Sequence, residues 1–300
     1  MPKTEFQIIS TPDSLNGALE TWFIQNDLFA GAPYVLSFDP NKLEASTVVY
    51  LELNEINIDL IRYLKNLGKK VVLYHMGDER ADKEIRSYAE CDLVIRNYFF
   101  EHILSAGEHR KNIMWAPNGF RTGVGPREPT ILKNILSRQS LSAFLGWIDN
   151  PNSFDQERVS FAKAAANCGD NLFVLPSTGF AGGYNVGLYS AIMEDSIFAP
   201  CPAGNSPETI RLYDALETGS IPISLEHEFL NSKEALGRIG LVPFPLLRSW
   251  NELPDFLQAM REKLISSPHE LADLQARCIT WWTDYKLAVQ HQISGRIKNL

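Results

Sequence analysis

Residues 201–225 read CPAGNSPETIRLYDALETGSIPISL and hold a polar loop and a short helical pattern between two apolar runs. The preceding run covers residues 196–200, and the following one covers residues 221–225. Short apolar runs that flank a helical pattern are typical of buried parallel strands joined by a helix. Arg211 and Asp214 lie near the start of this helix, in the zone where parallel α/β sheets bind their ligands.

The alternation of apolar runs and helical patterns extends over the whole chain. Strands are predicted at residues 34–37, 47–51, 71–74, 93–95, 113–116, 141–145, 172–175, 197–199, 221–224 and 240–244. Helices are predicted at residues 14–26, 58–67, 82–88, 156–167, 186–195, 207–217 and over most of 251–298. This order predicts an α/β fold with two doubly wound, Rossmann-like sheets that face a cleft.

The segment 116–130 is rich in Gly, Pro and Arg and has no period, so we interpret it as an inter-domain linker. The predicted domains are an N-terminal one, 1–120, and a C-terminal one, 121–300. The long terminal helices are expected to pack back across both domains.

Composition and charge narrow the classes of function. The 300-residue chain is 45% hydrophobic and 21% charged, with a formal net charge of −8. A general nucleic-acid-binding protein usually presents a basic face, so this balance argues against such a partner. The first residues lack an apolar signal core, and no run reaches the roughly 18–20 apolar residues that a membrane span requires. We therefore expect a soluble, cytoplasmic protein.

Four cysteines, Cys91, Cys168, Cys201 and Cys278, lie far apart in the sequence. They form neither a CxxC pair nor a zinc-binding spacing. We interpret them as buried thiols of a protein that works in a reducing compartment.

The loop 202–207 follows a predicted strand and opens a predicted helix. Ser206 is a candidate cap for this helix, with a proline in its first turn. The open N–H groups and the positive dipole end at this point suit an anion such as a diphosphate. Arg211, one turn in, can bind the same phosphate, and Asp214, three residues on, can accept the hydroxyls of a ribose. The alternative is an ordinary Arg/Asp pair on a solvated helix.

Residues 189–223 resemble the donor-site signature of exostosin-type glycosyltransferases, a family with the GT-B fold. The matching positions are Tyr189, Ser196, Phe198, Pro200, Gly204, Arg211, Ala215, Leu216, Gly219, Ile221 and Pro222. In the family, the arginine of this signature contacts the diphosphate and the acid contacts the ribose, which implies these roles for Arg211 and Asp214. Two positions depart from the pattern, since the acid is Asp rather than Glu and Glu208 replaces a residue that is often small. The first departure shortens the reach to the ribose, and the second leaves the donor sugar open.

Further candidate donor contacts flank this signature. The segment 141–158 resembles the first strand and loop of such donor domains, which implies that Gly146 lets a diphosphate approach and that Arg158 reaches it. The alternatives are a simple turn for the glycine and a solvated helix face for the arginine. The glycine-rich loop 176–187 can hold the nucleotide base or be a surface loop. The remaining candidate donor contacts are Ser177, Thr178, Gly204, Asn205, Ser206, Glu208 and Thr209.

The stretch VVLYHMGDERAD, residues 71–82, places titratable side chains at the end of a predicted strand. An inverting glycosyltransferase needs a base that takes the proton of the acceptor hydroxyl, and carboxylate or imidazole groups usually supply it. Asp78 is the first candidate, Glu79 the second and His75 the third. The alternatives are a helix cap for Asp78, a first-turn acid for Glu79 and a half-buried structural histidine.

Three more side chains are candidates for the acceptor side of the cleft. Arg96 and Asn97 end a predicted strand, where a substrate contact is expected. Arg121 lies in the segment 116–130 and is interpreted either as a phosphate contact or, preferably, as an exposed linker residue.

Several motifs are missing from the sequence. No DxD pair follows a strand, and no cluster of His, Cys and Asp has metal-ligand spacing. The GxGxxG, GxSxG and Walker motifs are also missing. The resemblance to GT-B enzymes implies that helix dipole and basic side chains replace a metal, so we expect neither a metal nor a cofactor.

The leading prediction is an inverting, metal-independent glycosyltransferase that moves a sugar from a UDP-sugar to a glycan acceptor. In this prediction the N-terminal domain, 1–120, holds the acceptor, and the C-terminal domain, 121–300, holds the nucleotide-sugar donor. No spare arginine can be placed beside the donor pocket to meet a sugar carboxylate, which favours a neutral sugar such as xylose. One alternative is another GT-B activity, such as GDP-fucose transfer or UDP-sugar epimerisation. The other is a non-catalytic glycan-binding module.

Overall fold

The computed structural model describes residues 6–30, 34–53, 55–104, 111–177, 179 and 184–300. The chain divides into two compact units. The first comprises Met1–Pro117 and Lys286–Leu300, and the second comprises Asn118–Tyr285. The assignment of acceptor and donor roles to the domains 1–120 and 121–300 stays a prediction.

A parallel sheet of six strands forms the centre of the first unit. The strands are β1 (Phe6–Ser10), β2 (Tyr34–Ser37), β3 (Thr47–Glu52), β4 (Lys70–His75), β5 (Leu93–Arg96) and β6 (Ile113–Trp115), in the order β2-β1-β3-β4-β5-β6. Strands β3 and β5 are buried along their whole length, as expected for a parallel sheet covered on both faces. The sequence prediction lacks β1, whose run FQIIS mixes polar and apolar residues.

A second parallel sheet, of five strands, forms the centre of the second unit. The strands are β7 (Ser140–Gly146), β8 (Phe173–Pro176), β9 (Ser196–Pro200), β10 (Ile221–Leu225) and β11 (Leu246–Leu247), in the order β11-β10-β9-β7-β8. The chain runs from β7 to its neighbour β8 and then crosses over to form β9 on the other side of β7. Such a reversal of strand order is where open parallel sheets bind ligands, so the C-terminal end of β7 is the expected site.

The α-helices within the described residues are α1 (Pro12–Gly17), α2 (Thr21–Phe23), α3 (Ile58–Asn66), α4 (Glu101–Leu104), α5 (Glu157–Ala165), α6 (Val186–Glu194), α7 (Ile210–Glu217), α8 (Glu228–Asn231), α9 (Leu253–Ser266) and α10 (Pro268–Lys298). None of them combines the length and the apolar character that crossing a bilayer requires. From Lys286 onward, α10 belongs to the first unit. There Lys286 forms an ion pair with Asp27 at 3.1 Å, and Gln290 donates a hydrogen bond to the carbonyl oxygen of Ala30. The end of the chain thus packs back on the first unit, as predicted.

The helix predicted at residues 58–67 is confirmed as α3. Asn57 caps its start, since the side-chain oxygen of Asn57 accepts the N–H of Leu60 at 3.0 Å. Gly68 follows its end with a φ of 72°. A residue with a Cβ would be strained in that conformation, so glycine ends the helix as predicted.

The single helix predicted at residues 14–26 is wrong. The structure has α1, then α2, then a π-helical turn at Ile24–Leu28. The Thr21 hydroxyl lies 2.8 and 2.9 Å from the carbonyl oxygens of Leu15 and Ala18. The Thr21 hydroxyl thus bonds carbonyl oxygens that the N–H groups of a continuous helix would otherwise bond, and the helix is broken at this point.

The helix predicted at residues 82–88 is also wrong, because only a 3₁₀ turn, Arg86–Glu90, forms there. Asp78 Oδ1 accepts two N–H groups of the following loop, at 3.1 and 3.2 Å. Ala81 has a φ of 54°, which no helix tolerates. The aspartate side chain satisfies the backbone donors that a helix would otherwise use.

The helix predicted at residues 207–217 begins only at Ile210, as α7. Ser206 is not its cap, since the Ser206 hydroxyl accepts the N–H of Glu208 at 3.2 Å in the preceding loop. Thr209 occupies the cap position in an extended conformation without a side-chain hydrogen bond to the helix. The prediction is therefore wrong on the first three residues of the helix and on its cap.

The strand predicted at residues 240–244 is wrong. A 3₁₀ turn, Leu236–Ile239, ends at Gly240, which has a φ of 118°. Pairing with β10 is made further along, by the two residues of β11. The left-handed glycine turns the chain away before a strand can form.

Candidate functional site

Gly146 ends β7 and leaves space that the side chain of Arg211 fills. A Cβ built on Gly146 would lie 2.5 Å from Nη2 of Arg211, closer than real side-chain contacts come. The same Nη2 donates a hydrogen bond to the carbonyl oxygen of Leu145. The glycine therefore permits a close approach, as the sequence suggested, but in this structure the group that approaches is an arginine of the protein.

Two guanidinium groups lie over the ring of Phe144 in β7. The Cζ of Arg211 is 4.2 Å from the ring centroid, and that of Arg158 is 5.4 Å from it. Arg158 also donates hydrogen bonds to the carbonyl oxygens of Ala203 and Trp147, at 2.9 and 2.8 Å. Burial, and then the charge of Arg211, lowers the pKa of Arg158 to about 9. Two arginines on one ring concentrate positive charge at the C-terminal end of β7.

Arg211 has a buried donor that lacks a partner within the described residues. Its Nε is buried and makes no hydrogen bond within the described part of the chain, and the residue is 4% exposed. A buried charged donor without an acceptor is costly. An anionic ligand oxygen at this position would remove that cost.

Asp214 is fully buried in α7, and both of its carboxylate oxygens accept hydrogen bonds from the protein. Oδ1 accepts the N–H of Arg121 at 2.7 Å, and Oδ2 accepts the hydroxyl of Tyr189 at 2.9 Å. Burial raises the pKa of the Asp214 carboxyl, and the charge of Arg121 opposes this shift. In this structure Asp214 holds two other segments in place, and its contact with a ribose stays a prediction.

The interpretation of Arg121 as an exposed linker residue is wrong. Its side chain is 13% exposed, and its Nε lies 3.9 Å from Oδ2 of Asp214. Its Cζ lies 4.6 Å from the centroid of the Tyr189 ring. The Arg121–Asp214 hydrogen bond joins residues 93 positions apart, so no local pattern in the sequence could reveal it.

Glu208, the second departure from the family pattern, is also a buried anchor. Its Oε1 accepts the N–H of Asn118 at 2.9 Å and the hydroxyl of Tyr213 at 2.8 Å. Glu208 thus joins the start of the second unit to the loop before α7. Its predicted contact with the donor stays a prediction.

The other predicted residues of this loop differ in exposure. Asn205 is exposed, whereas Ser206 and Thr209 are buried. Gly204 lies next to Arg158, and a Cβ on Gly204 would be 4.0 Å from Nη2 of that arginine. That distance is an ordinary van der Waals contact, so a glycine is not required at this position.

Ser177 follows β8 and lies beside the end of β7. Its N–H donates to the carbonyl oxygen of Gly146 at 2.9 Å, and its hydroxyl donates to that of Gly179 at 3.0 Å. Thr178 lies outside the described residues. The structure thus brings Gly146, Arg158, Ser177 and Arg211 together at one strand end.

Three predicted residues of the first unit are buried and hydrogen-bonded near the ends of β4 and β5, namely Asp78, Arg96 and Asn97. Nη2 of Arg96 donates to Oδ2 of Asp78 at 3.0 Å, and the two side chains are 0% and 1% exposed. Asn97 accepts the N–H of Gly77 at 3.2 Å and donates to Glu20 at 3.0 Å. These contacts give all three residues a structural role, and their predicted catalytic and acceptor roles stay predictions.

The other two base candidates differ in environment. Glu79 is half-buried, and its Oε1 accepts the hydroxyl of Tyr98 at 3.2 Å. His75 is 1% exposed, and its Nδ1 lies 2.6 Å from the hydroxyl of Tyr88. Burial, and then the charge of Arg96, lowers the pKa of His75 to about 4, so its ring is neutral at pH 7.

Sequence reasoning missed Phe144 and gave Tyr189 no chemical role. Phe144 precedes Gly146 by two residues, and the period of a strand places both on the same face of β7. The position of Phe144 beside Gly146 could therefore have been predicted from the sequence. The hydrogen bond from Tyr189 to Asp214 depends on tertiary packing. The described residues contain no group of three His, Cys, Asp or Glu side chains placed to share a metal ion.

Part of this chain matches a protein-family model. Residues 183–299 match the model of the family described as RXYLT1 C-terminal domain, and the match includes Tyr189, Arg211 and Asp214. The resemblance to exostosin-like glycosyltransferases is confirmed. The RXYLT1-type segment begins just before α6 and leaves residues 1–182 outside the match. A search among proteins of curated function gave no significant match.

Solved structures are similar to this chain over most of its length. The catalytic domain of starch synthase IV from Arabidopsis thaliana, bound to ADP and acarbose, has 10% identity and a TM-score of 0.50, over 85% of this chain and 73% of that chain. The glycosyltransferase of kitacinnamycin has 11% identity and a TM-score of 0.43, over 99% and 100% of the two chains. UGT2 from Phytolacca americana, complexed with UDP-2fluoro-glucose and pterostilbene, has 9% identity and a TM-score of 0.42, over 96% and 99%. The starch synthase match shows that the fold is GT-B, as predicted.

Proposed function

We propose that this protein is an inverting glycosyltransferase that transfers a neutral sugar from a UDP-sugar to a glycan acceptor without a metal ion. Xylose is the first candidate for the sugar. The family match and the fold support a glycosyltransferase. The identity of the donor, the inversion and the metal independence are our proposal.

The observation that carries this proposal is the arginine pair at the C-terminal end of β7. Arg211 and Arg158 share the ring of Phe144, and Nε of Arg211 lacks an acceptor within the described residues. A diphosphate supplies charged oxygens for such donors, and charge-assisted hydrogen bonds are the strong ones. The starch synthase with the same fold was solved with ADP, which supports a nucleoside diphosphate as the ligand class.

Arginine side chains can also take over the charge neutralisation that a metal would otherwise provide to the leaving diphosphate. In the second unit, Arg121 and Arg211 lie near the buried carboxylate of Asp214. Arg158 lies near Arg211 and near the buried carboxylate of Glu157, so three guanidinium groups face two carboxylates. The balance of charge at this strand end is therefore positive. This balance supports a metal-independent reaction, which chelation tests directly.

We propose Glu79, the second candidate from the sequence, as the general base in place of Asp78. Of the three candidates, Asp78 has both carboxylate oxygens engaged by the protein and is 1% exposed. His75 is neutral at pH 7, but its Nδ1 faces the hydroxyl of Tyr88. Glu79 is the half-buried carboxylate at the same strand end, and a general base must be able to reach the acceptor hydroxyl.

All four cysteines of the chain are buried free thiols, as expected. Buried unpaired thiols fit a reducing compartment, because disulfides form and persist in oxidising ones. We therefore propose the cytoplasm as the place of the reaction.

Calorimetry with UDP, GDP and ADP, followed by a luminescent assay of UDP release from a panel of UDP-sugars, tests the proposal. We expect UDP to bind more tightly than GDP and ADP, and UDP release from UDP-xylose to rise when a glycan acceptor is added. EDTA should leave the rate unchanged.

Each rival activity gives a different result in these assays. Preference for GDP, with release from GDP-fucose, would identify a fucosyltransferase. Conversion of one UDP-sugar into another without release of UDP would identify an epimerase. Glycan binding without any nucleotide binding would identify a non-catalytic module and contradict the proposal.

A further inference from the structure

A polar cavity of about 750 Å³ lies within the first unit, outside the segment that matches a family. Its walls come from the carboxyl end of β4, from the first turns of α3 and from the 3₁₀ turn Arg86–Glu90. Pockets that hold small ligands have volumes of roughly 300–1,000 Å³. The cavity is therefore large enough for a saccharide of a few units.

Two buried polar atoms at this cavity lack partners. His75, the last residue of β4, and Ser87, in the 3₁₀ turn, both line it and are 1% and 4% exposed. Nε2 of His75 and Oγ of Ser87 make no hydrogen bond within the part of the chain that the structure describes. Buried polar atoms are nearly always satisfied, so these two atoms are candidate contacts for a polar ligand in the cavity.

The hydrogen bonds behind His75 decide which of its nitrogens carries the proton. Nη1 of Arg96 donates to the hydroxyl oxygen of Tyr88 at 3.4 Å, and Nδ1 of His75 lies 2.6 Å from that oxygen. Arginine can only donate, and among the described residues Nδ1 is the one acceptor that faces the Tyr88 hydroxyl, so this hydroxyl donates its hydrogen to Nδ1. A neutral imidazole whose Nδ1 accepts carries its hydrogen on Nε2. His75, which lines the cavity, therefore carries its hydrogen on the nitrogen that has no partner within the described residues.

The charges around the cavity are nearly balanced. Three basic and four acidic side chains line it. Two of the basic ones already have acidic partners, since Arg62 lies 3.0 Å from Glu90 and Arg86 lies 2.6 Å from Glu84. A strongly anionic ligand would meet more carboxylates than cations here. An uncharged ligand with many hydroxyl groups can use both the donors and the acceptors of such a wall.

We propose that this cavity binds an uncharged saccharide, whose oxygens accept the Nε2–H of His75 and exchange hydrogen bonds with the hydroxyl of Ser87. The choice of a saccharide rests on the proposed function, which needs a glycan acceptor. In this role His75 is a hydrogen-bond donor and not the general base.

The test is saturation-transfer NMR and calorimetry on the full chain with xylotriose, cellotriose, maltotriose and lactose as uncharged probes. Glucuronate and inorganic phosphate are the anionic probes. We expect at least one uncharged saccharide to bind. Ser87→Ala should weaken that binding about two- to tenfold, the loss of one neutral hydrogen bond. Ser266→Ala, an exposed change on α9, is the matched control and should have no effect.

The position of the donor is tested at His75 itself. His75→Gln keeps an amide donor near the position of Nε2, whereas His75→Asn keeps one only near that of Nδ1. Saccharide binding should therefore survive better in His75→Gln than in His75→Asn. If neither variant folds, the ¹⁵N shifts of the wild-type ring give the same information. They should show a protonated Nε2 and an unprotonated Nδ1, and the Nε2–H signal should move when the saccharide is added.

Several results would overturn the proposal. Failure of all four uncharged probes to bind would remove the saccharide, and binding of phosphate or glucuronate alone would make this an anion site. Saccharide binding that neither Ser87→Ala nor the His75 variants change would place the ligand elsewhere. UDP titrated in the same samples separates this proposal from the proposed function, because loss of UDP binding with saccharide binding intact contradicts only the latter.

Discussion

Nη2 of Arg211 lies 2.5 Å from the place where residue 146 would carry a Cβ, so the guanidinium occupies the space that a side chain at this position would fill. The strand end must lack a side chain for the guanidinium to reach Phe144 and the carbonyl oxygen of Leu145. This relationship ties the glycine of β7 to the arginine of α7. It is the structural basis of the proposed diphosphate site.

Gly146→Ala should displace Arg211 and weaken UDP binding at least about tenfold. The added methyl group also overpacks a buried site, which typically costs about 1–3 kcal/mol of unfolding free energy. Calorimetry with UDP and urea unfolding measure the two effects. Gly295→Ala, in α10 with open space around its Cβ, is the control and should keep UDP affinity while leaving stability unchanged or raised. Normal UDP affinity in Gly146→Ala would separate this glycine from the site.

If Asp214 meets the ribose, wild-type protein should bind UDP more tightly than 2′,3′-dideoxy-UDP, and Asp214→Asn should bind both equally. Tyr189→Phe is the matched control, because it removes one hydrogen bond to the carboxylate but keeps the carboxylate itself. It should preserve the preference for UDP. Equal binding of both nucleotides to the wild type would leave Asp214 with its structural role alone.

The alternation of strands and helices could be predicted from the sequence, because it rests on local apolar runs such as 221–225. The position of Arg211 near the end of a central strand followed from the same pattern and from the family signature. Two of the errors come from contacts made by aspartate side chains. Asp78 accepts backbone N–H groups that a helix would otherwise use, and Asp214 binds Arg121, which lies 93 residues away. Neither contact produces a periodic pattern in the sequence from which it could be predicted.

Asp78→Asn and Glu79→Gln should change different properties, the first the stability of the protein and the second its rate of sugar transfer. Asp78 forms a buried ion pair with Arg96, and breaking such a pair by removing one partner costs about 3–5 kcal/mol of unfolding free energy. Glu79→Gln should keep stability and UDP affinity but lower the rate of sugar transfer about a hundred- to ten-thousand-fold. Urea unfolding and the UDP-release assay, run on both variants, measure this. Near-normal turnover in Glu79→Gln would place the base elsewhere.

His75 should make the protein less stable in mild acid. The unfolded chain binds a proton on this histidine near pH 6.5, whereas the folded protein binds it only near pH 4, because burial and then Arg96 oppose the charge while Asp78 and Glu52 favour it. Unfolding therefore takes up a proton in this range, and the free energy of unfolding falls as the pH drops. The fall should be about 2 kcal/mol between pH 7 and pH 5.

Urea unfolding of the wild type and of His75→Asn at both pH values isolates this contribution. Between pH 7 and pH 5, the free energy of unfolding of the variant should fall by about 2 kcal/mol less than that of the wild type. His269→Asn, an exposed histidine at the start of α10, is the control and should keep it. An unchanged pH dependence in His75→Asn would show that the ring is not buried in its neutral form.

The most direct test of a nucleotide-sugar site at the end of β7 is calorimetric titration of UDP into the wild type and into Arg211→Ala. Arg211 is predicted to make a charge-assisted hydrogen bond to the diphosphate, worth about 1.5–3 kcal/mol. We expect saturable binding of UDP to the wild type and binding at least about tenfold weaker in a folded Arg211→Ala. Equal UDP affinity in the two proteins, or no binding of UDP to the wild type, would contradict the account.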